Sequence, residues 1–190
     1  DGDLRDFDMF LGISGGAVVA SCLANGISID EIIAKVGDRE PLEVLAETPG
    51  LFAARLRATP EAALRARPFE GKWTPLEGFG HLRDAEYVYG YRSRAIFCDD
   101  APVIVGMDQD KWVARQDHNG ADPAALLEEF TALRGFNLRL WRSLTPADLE
   151  RFGRHNERGE ETLGRMMPWL AGHDGWHREQ VERYVAAAGA

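Results

Sequence analysis

The sequence predicts a mainly helical protein, an antiparallel four-helix bundle preceded by a short strand-turn-helix appendage. Apolar residues recur with helical periodicity almost throughout residues 41–190, which we take as the bundle domain. Residues 1–40 differ, because they carry eight acidic and only three basic residues and follow a strand-turn-helix pattern. The chain length of 190 residues fits one domain with such an appendage.

The appendage has a hydrophobic strand at 7–11, a glycine-rich turn at 12–16 and a helix that starts at Ala17. A second short helix is predicted from Asp30 to Val36, with Ser28 or Asp30 as its N-cap. No partner strands are evident for a sheet, so this is an isolated strand-turn-helix fragment that ends near Pro41.

Four longer helical segments follow, and each is long enough to span a bundle. The second segment begins with Thr74-Pro75-Leu76-Glu77, which is typical of a capping box, and the third begins after the predicted N-cap Asp122. In the first segment, Pro49-Gly50 is expected to kink or interrupt the helix. The predicted helices cover about 41–58, 75–97, 122–144 and 159–186.

A connection of more than twenty residues, about 98–121, separates the second and third helices. Connections of that length in a compact domain are often functional lids or crossovers.

Composition excludes several classes of function. The net charge of −9 repels phosphate backbones and anionic lipid, so we expect neither nucleic acid nor a membrane as a partner. We expect a cytoplasmic protein, since no apolar run approaches a bilayer span and the first residues do not resemble a secretory leader. Cys22 and Cys98 are too few and too far apart for a disulfide framework or a cysteine zinc site.

The histidines carry the most informative pattern. His173 and His177 are four residues apart, so on a helix they project from the same face. That face continues the apolar seam of Met166, Leu170 and Val181, so both rings should point into the bundle. A shared metal ion is one way to satisfy two buried imidazoles.

His81 lies about two turns into the second predicted helix and is also expected to face inward. Three imidazoles from two helices would form a site with open coordination positions, as catalytic zinc sites have. The alternative is that the histidines are ordinary core or surface residues. His118 and His155 lie in polar segments, and we expect them to be exposed and without a role.

These residues resemble the DinB/YfiT-like family of four-helix proteins over about residues 41–186. The similarity lies in Trp73-Thr74-Pro75-Leu76-Glu77 with the following His81, in the segment 155–160, and in the HxxxH pair His173 and His177. The resemblance implies that His81, His173 and His177 bind a divalent metal, zinc or nickel. It also makes a homodimer plausible.

The chemistry implied by the resemblance is either thiol-dependent transfer, with a low-molecular-weight thiol, or metal-dependent hydrolysis of a small molecule. A bound cation can hold a thiol as thiolate or activate water. Asp174 and Glu86 lie close enough in sequence to the ligands to hydrogen-bond them or to accept a proton, although both could instead belong to a solvated helix face. A non-catalytic metal-binding or interaction module remains the alternative.

Four tryptophans lie near these motifs in the sequence and could wall a pocket, although core packing is the simpler interpretation. They are Trp73, Trp112, Trp169 and Trp176.

A second motif lies in the appendage, where residues 12–16 fit the pattern G-x-S-x-G around Ser14. Together with the residues up to about 40, it resembles the nucleophile elbow of patatin-like phospholipases, and Ser14 matches the nucleophile of their serine–aspartate dyad. The resemblance covers only about 40 residues. The glycine-rich oxyanion segment of that family would lie upstream of residue 1. Its dyad aspartate belongs to an Asp-Gly motif far downstream, and the available Asp174-Gly175 lies within the helix of the histidines rather than on a sheet loop. Serine ester hydrolysis is therefore a second alternative, and a truncated piece joined to the bundle explains the segment better.

Overall fold

The structure is a computed structural model that describes residues 28–189. It confirms the mainly helical prediction and the four-helix bundle. Long helices alternate with short ones, and a small three-stranded sheet lies at one end. The helices are α1 (Ile29–Ala34), α2 (Pro41–Ala58), α3 (Glu61–Arg65), α4 (Pro75–Cys98), α5 (Gln109–Arg115), α6 (Pro123–Trp141), α7 (Pro146–Leu149) and α8 (Leu163–Ala187), and the strands are β1 (Val103–Ile104), β2 (Phe152–His155) and β3 (Gly159–Thr162).

The four long helices form the bundle, with α2 and α4 each packed against both α6 and α8. Contacts along the helices show their directions. Gly78 near the start of α4 faces Val181 near the end of α8, whereas Ser93 meets Met166, so these two helices are antiparallel.

Helices α4 and α6 run parallel to each other. Glu86 of α4 contacts Arg134 of α6, and further along both helices Ser93 contacts Trp141. Because α6 starts at the same end as α4, the connection between them must return along the bundle. That connection contains β1, α5 and a 3-10 turn at His118–Gly120, and it is the crossover that its length predicted.

The predicted helix starts are confirmed at α4, where Thr74 and Glu77 form a capping box, and at α6, where Asp122 caps. Ser28 caps α1, also with a capping box. The last helix begins later than predicted. The segment 159–162 pairs with β2 as the antiparallel strand β3, and α8 starts only at Leu163.

Pro49 does not interrupt α2, which continues to Ala58. Proline has no N–H, so the carbonyl four residues earlier, that of Leu45, loses its helical partner. The side chain of Arg134 donates to this carbonyl from Nη1 at 2.7 Å. The freed acceptor is therefore satisfied by a buried side chain, and the helix continues.

Helix α1, the described end of the predicted appendage, packs against α8. Ile32 is buried at this contact, and Gly172 is the residue that permits it, since a Cβ there would lie 1.9 Å from the carbonyl oxygen of Ile32. The rest of the appendage, with its predicted strand and turn, lies outside the described residues. No helix within 28–189 has the length and apolar character needed to cross a bilayer.

Candidate metal centre

Three histidines from two antiparallel helices meet inside the bundle. His81 projects from α4, and His173 and His177 project one turn apart from α8. The Nε2 atom of His173 lies 3.1 Å from Nε2 of His81 and 3.1 Å from Nε2 of His177. Potential ligand atoms of all three lie within 4.8 Å of one another. The structure thus brings together the three residues that the sequence singled out.

The cluster is buried and surrounded by aromatic rings. The three histidines are between 0% and 4% exposed. Trp169 stacks on His173 with ring centroids 4.9 Å apart, and Trp73 lies 4.9 Å from the ring of His81. Burial lowers the pKa of each imidazole, that of His177 to about 4, and the neighbouring rings lower the pKa of His81 and His173 further. All three are neutral at pH 7, the form that binds metals.

Gln180 orients one of the rings. Its Oε1 lies 2.9 Å from Nδ1 of His177, so Nδ1 carries the proton and the Nε2 lone pair points into the cluster. The amide Nε2 of Gln180 donates to the hydroxyl of Tyr184 at 3.3 Å. Among the described residues, Nδ1 of His81 and of His173 have no hydrogen-bond partner.

The nitrogen geometry fits a cation better than a hydrogen-bonded histidine network. An imidazole nitrogen is either a donor or an acceptor along one direction, yet Nε2 of His173 faces two other ring nitrogens. Tetrahedral zinc with bonds of about 2.0–2.1 Å places neighbouring ligand nitrogens about 3.3 Å apart. The observed separations of 3.1 Å are close to that value.

A buried ion cluster lies beside the histidines. Arg134 of α6 places Nη2 2.8 Å from Oε2 of Glu86 and 2.8 Å from Oδ2 of Asp174, and its Nε also donates to Glu86 at 2.8 Å. Asn137 donates to the other oxygen of Glu86 at 2.8 Å. Burial raises the pKa of both carboxyls, and the guanidinium opposes that rise.

Glu86 and Asp174 were expected near the ligands, and both are buried rather than solvated. Within the described part of the chain neither carboxyl contacts an imidazole; both face Arg134, and Glu86 also accepts from Asn137. The sequence analysis missed Arg134 and Asn137. A signal was present, because both lie on the helix stripe that contains Phe130 and Trp141.

The expectation that His118 and His155 are exposed was wrong, since they are 1% and 3% exposed. His118, in the crossover, places Nε2 2.7 Å from Oδ2 of Asp84. It packs so closely on Gly80 that a Cβ there would lie 2.3 Å from its ring. His155, on β2, accepts from the N–H of Glu157 with Nδ1 at 3.2 Å. Tertiary packing covers both polar segments.

Trp73 and Trp169 contact the rings of the histidine cluster. The ring of Trp176 lies edge-on to that of His177, with the two centroids 4.7 Å apart. Trp112 is half-buried on α5 in the crossover.

The fold and the cluster define a class: a four-helix bundle whose interior presents three converging imidazoles to one point. A family model described as the DinB superfamily matches residues 45–181. The chain therefore belongs to the DinB superfamily, as its motifs indicated.

Known proteins of this kind carry related names. Two from Oceanobacillus iheyensis, each named "Putative metal-dependent hydrolase", are 29% identical over 111 residues, covering 58% of this chain and 64% of that protein, and 25% identical over 116 residues, covering 60% and 65%. The chain thus spans less than two thirds of these curated relatives. YfiT from Bacillus subtilis, described as a probable metal-dependent hydrolase with an unusual four-helix bundle topology, superposes with a TM-score of 0.70 at 23% identity, covering 75% of this chain and 84% of that one.

Ser14 lies outside the described residues. The family match begins at residue 45, and the comparisons do not support the resemblance of the first 40 residues to patatin-like phospholipases.

Proposed function

We propose that this protein is a metal-dependent enzyme acting on a small molecule, and that His81, His173 and His177 bind one divalent cation through their Nε2 atoms. The observation that carries the proposal is the convergence of three neutral, buried ring nitrogens at separations suited to a cation. The names of the O. iheyensis relatives support metal dependence and favour hydrolysis.

Three histidine ligands leave at least one coordination position open, as in catalytic rather than structural zinc sites. A cation there supplies Lewis-acid activation of a water or of a thiol. Zinc and nickel both suit imidazole ligands. We propose hydrolysis as the reaction, with thiol-dependent transfer as the alternative use of the same position.

Several of the chain's own residues would favour binding of that cation, by fixing a ring tautomer, covering the imidazoles and balancing the neighbouring charges. Gln180 holds His177 in the tautomer whose Nε2 is unprotonated. Trp73 and Trp169 cover the rings of His81 and His173. Two carboxyls share the one guanidinium of Arg134, so the adjoining ion cluster presents no surplus of positive charge to a cation.

Elemental analysis of the purified protein tests the metal site directly. We expect about one equivalent of zinc or nickel per chain in the parent, and a loss of most of it in the double variant His173→Ala, His177→Ala. His155→Ala is the matched control, since His155 is equally buried but lies outside the cluster. A parent that holds no metal after reconstitution, or a double variant that retains it, would contradict the site.

Cobalt substitution distinguishes the chemical alternatives. An open position should change the visible spectrum of the cobalt-loaded protein when azide is added, and a thiol that coordinates should add a sulfur-to-cobalt charge-transfer band. Hydrolysis is tested with a panel of small esters and amides, comparing metal-depleted with reloaded protein. A saturated spectrum that ignores both azide and thiol would indicate a closed, structural site and a non-catalytic module.

A further inference from the structure

One side of the histidine cluster is covered by the indole ring of Trp73. His81 and His177 are 0% and 4% exposed. The centroid of the Trp73 ring lies 4.9 Å from that of His81, and the ring stacks on His177 at 6.1 Å with 13° between the two planes. Trp73 itself is half-buried. A small molecule that approaches from this side therefore meets Trp73 before it meets either imidazole.

Trp73 is attached to the fold differently from the other two tryptophans that contact the cluster. Trp169 and Trp176 belong to α8, the helix of His173 and His177. Trp169 is 5% exposed and held between the rings of Tyr89 and His173, and Trp176 meets the edge of the His177 ring. Trp73 lies outside the helices, in the residue before the N-cap of α4. Its ring can turn toward solvent without displacing a helix.

The backbone next to Trp73 is fixed. Thr74 is 1% exposed, and its Oγ1 accepts from the N–H of Glu77 at 3.1 Å and donates to Oδ1 of Asn119 at 2.8 Å. Uncovering the imidazoles therefore requires rotation of the Trp73 side chain and not displacement of the chain segment.

A hydrogen bond to the crossover holds the indole over the cluster. Nε1 of Trp73 donates to Oδ1 of Asp110, an exposed residue of α5, at 3.0 Å. The crossover is in turn fixed to α4, because Gln116 and His118 both bind Asp84. A hydrogen bond contributes about 1 kcal/mol, so its loss should raise the population of the turned-out ring about fivefold.

We propose that Trp73 is the gate through which small molecules reach the histidine cluster, and that Asp110 is the positioning residue that keeps this gate closed. The inference deepens the proposed function and rests on it, since a substrate must reach the open coordination position. When the indole turns toward solvent, it uncovers His81 and His177. The crossover thus has a role in the site, because it supplies the acceptor that holds the gate.

Chemical modification of the metal-free full chain tests the gate. Diethyl pyrocarbonate modifies unprotonated imidazoles, and mass spectrometry of the peptides gives the rate at each histidine. Asp110→Leu removes the acceptor, whereas Asp110→Asn keeps an amide oxygen, and both remove the same charge. We expect His81 to react about fivefold faster in Asp110→Leu than in Asp110→Asn, the factor that about 1 kcal/mol gives. His155, equally buried but outside the cluster, should react at the same rate in both.

A second variant assigns the effect to the hydrogen bond. Trp73→Phe keeps an aromatic ring without the N–H, so in that background the two Asp110 variants should react at equal rates. Far-ultraviolet circular dichroism checks folding, and Asp110→Ala replaces Asp110→Leu if the latter does not fold. Equal rates at His81 in the two Asp110 variants, a matching acceleration at His155, or a difference that persists with Trp73→Phe would overturn the gate.

Metal content, measured in parallel, separates this inference from the proposed function. The parent and both Asp110 variants should each hold about one equivalent, because Asp110 is not among the three proposed ligands. A parent without metal whose Asp110 variants still differ fivefold at His81 would contradict the metal site and support the gate over the histidines.

Discussion

Arg134 is a buried arginine whose polar contacts reach three other helices of the bundle. It is 1% exposed, faces both Glu86 and Asp174, and donates to the Leu45 carbonyl that Pro49 leaves free. One side chain thus joins helices α2, α4, α6 and α8. Removing one partner from such a cluster leaves charges buried without compensation, which costs more than the interaction itself contributes.

We therefore expect Arg134→Met to destabilise the protein by about 3–5 kcal/mol, because two buried carboxyls lose the guanidinium that compensates their charge and the Leu45 carbonyl loses its donor. Urea unfolding followed by circular dichroism measures the change. Arg139→Met on the same helix is the control, since Arg139 is exposed, and it should change the free energy of unfolding by about 0.5 kcal/mol or less. Similar losses of unfolding free energy in both variants would show that the buried ion cluster contributes no more to stability than an exposed arginine does.

At the scale of elements, the contact between α1 and α8 depends on the absence of one methyl group. Gly172 precedes the ligand candidate His173, and the backbone of Ile32 occupies the space that a Cβ would need. Backbone atoms cannot move aside as a flexible side chain can. The position of α1 on the bundle is therefore tied to this glycine.

Gly172→Ala should force α1 away from α8 and destabilise the protein by about 1–3 kcal/mol. Gly175→Ala is a close control on the same helix. A Cβ there would meet the Cβ of Lys35 at an ordinary 3.6 Å, so the gain in helix propensity should leave stability unchanged or raised by about 0.5–1 kcal/mol. Thermal unfolding of both variants measures the difference, and a Gly172→Ala protein as stable as the parent would refute the tight contact.

At the scale of the whole molecule, the buried histidines couple stability to pH. In the unfolded chain an imidazole takes up a proton as the pH falls below about 6.5, whereas folded His177 does so only near pH 4. Between these values the unfolded state binds more protons. The stability of the metal-free protein should therefore fall as the pH is lowered from about 6.5 to about 4, and recover as it is raised.

The raised pKa values of Glu86 and Asp174 act in the opposite direction, so the test compares two proteins rather than one curve. We expect the free energy of unfolding of chelator-treated parent protein to depend more steeply on pH in this window than that of His177→Ala, which keeps both carboxyls. Parallel curves for the two proteins would show that His177 does not titrate as its burial implies.

Much of the fold and of the candidate site could be predicted from the sequence, because the relevant information is local. Helical periodicity and capping residues determined where α4 and α6 start, and the spacing of His173 and His177 on an apolar seam determined that both rings face inward. A side chain's helix face follows from its position in the chain alone.

Only the tertiary structure decided which helices are neighbours and which polar groups are buried. Three features depend on partners distant in the chain. Helices α4 and α6 are parallel neighbours, and residues 159–162 pair with β2, so that α8 starts only at Leu163. His118, His155 and Arg134 are buried by other segments. A polar side chain can be buried only where another segment supplies its hydrogen bonds, as Asp84 does for His118. Local periodicity indicates which residues face inward, and packing determines what they meet there.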